Sequence, residues 1–396
     1  MKPIYLDNNA TTAVAPEVAE AIQPYYHELY GNPSSMHLFG GQLHRRIEEA
    51  RAKVAALIGA EPEEIIFTSC GTESDNTAIM SAAESFPGKR HVVTSRVEHP
   101  AVLNFAKHLA RKGCRVSFVP VDNQGRFDME FFLKALDDQT AVASIMHANN
   151  ETGVIFPIDE IGVVLKERNI LFHTDAVQTA GKVPINVKGL PVDMLSISGH
   201  KLHAPKGIGA LYVRKGTRFY PYMIGGHQEH GRRAGTENVP SIVAFGKACE
   251  LALENLDKEA VYVSRLRDKL EKALLEQCPD PRINGDMVHR LPNTTNISFE
   301  YVEGEAILLR IDEYGICASS GSACTSGALE PSHVLRAMGI PYTAIHGSVR
   351  FSLSRYNTEE EIDKVIEILP PIIKELRTLS PYGKERAFKC QSTTRH

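Results

Sequence analysis

No uninterrupted apolar run in this chain approaches the ~18 residues that a membrane helix needs, and the opening MKPIYLDNNATT has no apolar segment of the secretion-signal kind. The expectation is a protein that is neither secreted nor membrane-spanning. Its seven cysteines, at 70, 114, 249, 278, 317, 324 and 390, are odd in number and include no CxxC pair, so they are not a disulfide framework. That points to a reducing cytoplasm. An excess of either charge is also missing: 44 Lys and Arg against 48 Asp and Glu leave −4, which gives no general reason to bind nucleic acid or an anionic membrane. There is no internal repeat, and no GxGxxG or GxxxxGK[ST] pattern, so dinucleotide and Walker-type phosphate sites lack support. His227 and His230, with Glu229 between them, have no further ligands at metal-site spacing, and no resident metal is expected.

What is present is enough apolar material for a large core: 396 residues, 43% hydrophobic and 23% charged. From about residue 65 to 215, short β-rich runs alternate with helical patterns, the signature of βαβ units around a mainly parallel sheet. The strand candidates are 65–68, 91–95, 115–121, 141–146, 170–173, 194–197 and 210–213. His99 and Pro100 open a helix that Gly113 stops. After Glu254 a long charged helix carries Leu266, Leu270 and Leu274 as one buried stripe, and Thr358 with Glu361 forms a capping box ahead of a last amphipathic helix. These changes predict an α/β protein in which a second domain begins after Glu254 and the tail after Tyr382 is loose.

Four stretches carry chemistry. Thr68 to Ser74 runs from a strand through Gly71 into a helix near Thr72, so free N–H groups and a hydroxyl meet an anion such as phosphate; an ordinary helix cap is the plainer alternative. Asp175 and Gln178 follow a buried strand, where ligands gather in open α/β sheets, though Asp175 capping the next helix reads equally well. Lys201, in Ser198-Gly199-His200-Lys201, lies beyond another buried strand, where desolvation suits an amine nucleophile forming a Schiff base. Cys324 sits among small polar residues from Ser319 to Gly327, expected to be an exposed, mobile loop at about 319–330; Cys317, in an apolar run, reads as a core residue.

Together with YLDNNATT (5–12), GNPSS (31–35), TSCGTES (68–74), EHPAV (98–102), ANNETG (148–153), HTDAVQ (173–178), SGHK (198–201), GRRAGTEN (231–238) and SSGSACTSG (319–327), these stretches make the chain resemble the pyridoxal-phosphate-dependent cysteine desulfurases. The similarity covers nearly the whole chain. The SSGSAC loop is that of the family's first group, and HKLHAPKG, GRRAGTEN and LEPSHVLRAMGIPYTA are nearest its nitrogenase-associated, NifS-like branch. The resemblance implies a fold-type I transferase with a large domain at 16–257 that holds a mainly parallel seven-stranded sheet, a smaller α+β domain from 1–15 and 258–382, and a tail at 383–396. It gives Lys201 the covalent hold on pyridoxal 5'-phosphate, Asp175 the pairing with the ring nitrogen, and Gln178 and Asn150 places near the phenolic oxygen. His99 would stack on the ring and move protons. Gly71, Thr72, Ser198 and His200 would bind the phosphate, with Thr236 reaching it from the neighbouring subunit of a homodimer. Arg350, assisted by Asn8 and Asn150, would bind the substrate carboxylate.

The reaction so implied turns L-cysteine into L-alanine and leaves a persulfide on Cys324, which passes sulfur to an iron-sulfur scaffold protein, nitrogenase maturation being one destination. Cys324 would meet a metal only through a cluster carried by that partner. An aminotransferase or a selenocysteine lyase would keep Lys201 and Asp175, and a sulfur carrier or assembly scaffold without cofactor chemistry is the rival from another class. Cys324 argues against transamination, which has no use for a loop thiol, and a protein colourless even after adding pyridoxal phosphate would favour the carrier.

Overall fold

The computed structural model describes residues 3–320 and 331–380. Its strands, in chain order, are β1 (Ile4–Tyr5), β2 (Ile65–Thr68), β3 (His91–Ser95), β4 (Arg115–Val119), β5 (Thr140–Ser144), β6 (Leu171–Asp175), β7 (Met194–Ser198), β8 (Gly209–Val213), β9 (Pro281–Ile283), β10 (Thr294–Phe299), β11 (Ile316–Cys317) and β12 (Ser348–Ser352). Seven of them form the central sheet in the order β2-β8-β7-β6-β5-β3-β4. Neighbours are parallel except along β8, which runs antiparallel to both β2 and β7. Five of the seven are buried at every position, as in a sheet covered on both faces. The protein is thus α/β with a mostly parallel seven-stranded sheet.

Smaller sheets lie elsewhere: β12-β10-β9, and β1 beside β11, where Tyr5 is in register with Cys317. Cys317 is half-buried on this short strand rather than a core residue, because a two-residue edge leaves one of its sides uncovered. A second apolar core gathers Ile4 and Leu6 with Leu266, Leu270, Leu274, Phe299, Phe351 and Ile362. Val334, Leu335 and Ile345 join the first core instead, against the large sheet's residues.

The helix expected after Glu254 starts earlier. It is one helix of 39 residues, Val239–Gln277, capped where Asn238 Oδ1 accepts the Ser241 N–H at 3.3 Å, and nothing beyond its first turn supplies a proline to stop it. Its first half packs in one core (Ile242, Phe245, Cys249) and its second half in the other (Val263, Leu270). The capping box at Thr358 and Glu361 forms as its spacing requires and starts the helix Glu359–Leu379. Among the described residues no helix is long and apolar enough to cross a membrane.

Candidate active site

Parallel strands deliver their carboxyl ends to one side of a sheet, and here five such ends meet around one cavity of about 430 Å³. After β2 the chain turns at Cys70 into the helix Gly71–Ser85, bringing Gly71 and Thr72 to the wall. Gly71 is required by space: a Cβ there would stand 2.9 Å from Val177 Cγ2. Beyond β3, His99 caps the helix Pro100–Arg111, its Nδ1 accepting the Ala101 N–H at 3.2 Å. Asn150 comes from the segment after β5, Asp175 and Gln178 from β6 and its following turn, and Ser198, His200 and Lys201 from the end of β7. Arg350 enters from β12.

Ten of the residues singled out in the sequence therefore line one cavity. Asn8 does not. Its Nδ2 donates to the carbonyls of Ser352 (2.9 Å) and Tyr5 (3.3 Å), which ties it into the strand pairing, and the next residue, Asn9, lines the cavity in its place. Asn8 borders instead a separate cavity of about 20 Å³ that Lys201 also reaches. Thr236 is exposed and takes no part in the cavity of its own chain. Cys324 lies outside the described residues, as does the tail from 381. On either side of residues 321–330 the chain is at the site: Ser319 exchanges backbone hydrogen bonds with Arg350, and Pro331, Ser332 and His333 line the cavity. Cys70 is the cysteine among the described residues that reaches the cavity wall, whereas burial pushes the thiol of Cys249 up and that of Cys278 up to about 12.

The electrostatics divide the site in two. Lys201 Nζ donates to the carbonyls of Asn9 (2.5 Å) and Ala10 (2.7 Å). Burial pushes Asp175 up to about 6, opposed by the Val177 N–H, which donates to its Oδ1 at 2.9 Å, and by the Lys201 charge. Burial, with the charges of Lys201 and His333, takes His99 down to about 4, so the ring is neutral at neutral pH. His200 is lowered to about 4 by burial and by Lys201 in turn. Arg350 donates to Asp7 Oδ1 (2.7 Å) and the Asn150 carbonyl (3.0 Å), while its Nε is buried without an acceptor. Ser198 Oγ is also buried without a partner.

Three buried carboxyls near the site escaped the sequence reading. Asp75 lines the cavity, and burial together with the Asp175 charge raises it well above the carboxylate range. Glu98 receives the Ser95 hydroxyl (2.6 Å) and the Met146 N–H (3.0 Å), and burial takes it to about 8. Glu151 receives the Ser332 hydroxyl (2.5 Å) and is raised to about 7 by burial. The available signal was local: Asp75 is one helical turn beyond Thr72, on the same face of a helix of small residues. Among the described residues no cluster of His, Cys, Asp and Glu is arranged to hold a metal ion.

A mainly parallel sheet whose strand ends assemble a lysine, a buried aspartate and an anion-ready helix start is an arrangement made for a small anionic cofactor or substrate. The aminotransferase class-V family model matches residues 4–365. A cysteine desulfurase of Trichormus azollae is 61% identical over 387 residues, 98% of this chain and 97% of its own length. The cysteine desulfurase NifS of Azotobacter vinelandii is 57% identical over 383 residues, 96% of this chain and 95% of its own. A solved NifS-like protein superposes with a TM-score of 0.89 at 41% identity, covering 94% of this chain and all (100%) of that one. The chain belongs to the aminotransferase class-V family, among its cysteine desulfurases.

Proposed function

We propose that the protein is a pyridoxal-phosphate-dependent cysteine desulfurase, which converts L-cysteine to L-alanine and carries the sulfur on Cys324 toward iron-sulfur cluster assembly. The observation that carries this reading is the meeting of Lys201, Asp175, the unpaired Ser198 Oγ and the unpaired Arg350 Nε in one cavity. Ser198 Oγ and Arg350 Nε have unfilled bonding capacity, and with the Lys201 amine and the Asp175 carboxyl they match one small molecule bearing a phosphate, an aldehyde and a basic ring nitrogen, with an amino-acid carboxylate beside it.

The residues present fit pyridoxal phosphate. Lys201 would hold it covalently, Asp175 would hold its ring nitrogen protonated, and Thr72, Ser198, His200 and the N–H groups after Gly71 would take its phosphate. When bound, the cofactor supplies an electron sink that makes the α-proton of the amino acid acidic and accepts the charge left when sulfur departs.

The chain's own groups do the rest. Arg350 receives the substrate carboxylate as a charge-assisted pair, with its orientation fixed by Asp7 and the Asn150 carbonyl. His99 is neutral through burial and its Nδ1 lone pair is engaged by the Ala101 N–H, so its Nε2 carries the ring proton and is the atom that gives it up and takes it back during proton transfer. The thiolate of Cys324 attacks the substrate sulfur. An S–S bond forms, the substrate Cβ–S bond breaks, and the electron pair left on carbon is protonated to give L-alanine. Cys324 keeps the sulfur as a persulfide, ready for a scaffold thiol to take. Thr236, exposed on its own chain, completes the phosphate site of a partner subunit in a homodimer, and the enzyme works in the cytoplasm.

The test is to supply the purified protein with pyridoxal phosphate, L-cysteine and a dithiol, and to measure alanine and sulfide together. Equal amounts are expected, with none from Lys201→Ala, which also loses the cofactor adduct that borohydride fixes. A keto acid in place of alanine would return the aminotransferase reading.

A further inference from the structure

Lys182 is a half-buried lysine set down among cations. It follows Gln178 by four residues in the turn after β6, and its Nζ donates to the Gln178 carbonyl (3.1 Å) and to Gln178 Oε1 (3.2 Å). The charged groups acting on it are Lys201, Arg350 and Glu259. His203 and Arg355 border the small cavity beside it, and His200 feels its charge. The single carboxylate of this set, Glu259, is already bonded to Arg355 at 3.0 Å. Burial first, then Lys201, brings Lys182 down to about 7. A lysine kept for the fold alone is ordinarily paired with a carboxylate or extends its tip into water. Lys182 instead donates twice to one glutamine.

The chemistry of the two partners fixes how that glutamine faces. The protonated form of Lys182 has only donors, and the amide atom turned to it is the oxygen, as the other end of the amide requires. The Asn9 carbonyl has only lone pairs, so the atom turned to it, at 3.0 Å, is the nitrogen. Gln178 lines the main cavity, and this arrangement leaves its second N–H, not its carbonyl oxygen, to a group bound there.

We propose that Lys182 is a positioning residue: it clamps the Gln178 amide with its donor end toward the cavity, where it hydrogen-bonds an ionised ring oxygen of the bound cofactor. This rests on the pyridoxal-phosphate reading above. Without the clamp the amide keeps one anchor, Asn9, whose carbonyl is shared with Lys201. The donor is then lost for part of the time, and the ring oxygen is less well stabilised as an anion.

The experiment is a double-mutant cycle on the full chain loaded with pyridoxal phosphate, read as the pH midpoint of the visible cofactor band rather than as activity. Lys182→Met is expected to move that midpoint upward by roughly half to one pH unit, the shift that loss of one hydrogen bond to an ionised oxygen brings. Gln178→Ala is expected to move it similarly, and Lys182→Met should add little in the Gln178→Ala background. Lys182→Arg, which keeps the cationic donor, should stay near the parent. If Lys182→Met does not fold, Lys182→Gln enters the same cycle. An unmoved midpoint, or a shift of equal size with and without Gln178, overturns the inference. A parent protein that develops no visible band is a different failure, that of the cofactor reading, and is seen before any variant is made.

Discussion

Replacing Asp175 with asparagine is expected to stabilise the cofactor-free protein while disabling the reaction. The carboxyl is 7% exposed and is raised from 3.8 to about 6, chiefly by burial. A group that binds its proton more tightly folded than unfolded costs stability as it ionises. Between pH 4 and pH 6 the unfolded chain has lost that proton and the folded one still holds it, so stability falls with rising pH and stays reduced above pH 6. The full penalty is on the order of 3 kcal/mol, of which about half is already present at pH 5. Asparagine has the shape of the protonated acid, retains an oxygen for the Val177 N–H, and never ionises. Urea unfolding of parent and Asp175→Asn, without cofactor, should therefore show the variant ahead, by a margin that widens from pH 5 to pH 7.5 and reaches on the order of 3 kcal/mol. With pyridoxal phosphate present the variant should lose most of its desulfuration, because an amide cannot hold the ring nitrogen protonated. A gap that shrinks as pH rises, or a variant less stable than the parent at pH 7.5, would refute the reasoning about Asp175.

Arg350→Lys keeps a charge but not the planar fork, and kcat/KM for L-cysteine should drop roughly 10–100-fold, mainly through KM; an unchanged KM would remove Arg350 from substrate binding. Mixing Thr236→Ala with Lys201→Ala protomers should give heterodimers in which one of two sites has both native groups, so activity should exceed that of either mutant alone. No gain after verified subunit exchange would place Thr236 outside the neighbouring site.

Much of this was legible beforehand because strand ends are easy to find. Seven apolar runs marked the central sheet to within a few residues, and residues just past those runs (Thr72, Asp175, Lys201) had to come to one edge of it. What stayed hidden depended on side-chain phase or on partners distant in sequence. Asn8 and Asn9 are indistinguishable in a string, and only the pairing of this segment with β12, through the Asn9 N–H and Ser352 Oγ at 2.9 Å, decides which one faces the cavity. Glu98 sat unremarked inside EHPAV, because its burial comes from β5 and the Met146 N–H, 48 residues on. Lys182 drew no attention in the sequence. Its meaning comes from the pairing of Glu259 with Arg355 and from where Gln178 and Asn9 meet, neither of which has a sequence signature. The long helix Val239–Gln277 was read as two regions because its composition changes where it passes from one core to the other, while its backbone continues unbroken.

The most direct measurement is mass spectrometry of the loaded protein after a single turnover with L-cysteine and no reductant. One equivalent of L-alanine is expected, with one extra sulfur on the peptide that carries Cys324. Cys324→Ala should keep the coloured cofactor and form almost no alanine. Extra sulfur found mainly on Cys70, Cys114 or Cys317, or full alanine formation by Cys324→Ala, would contradict sulfur transfer through Cys324.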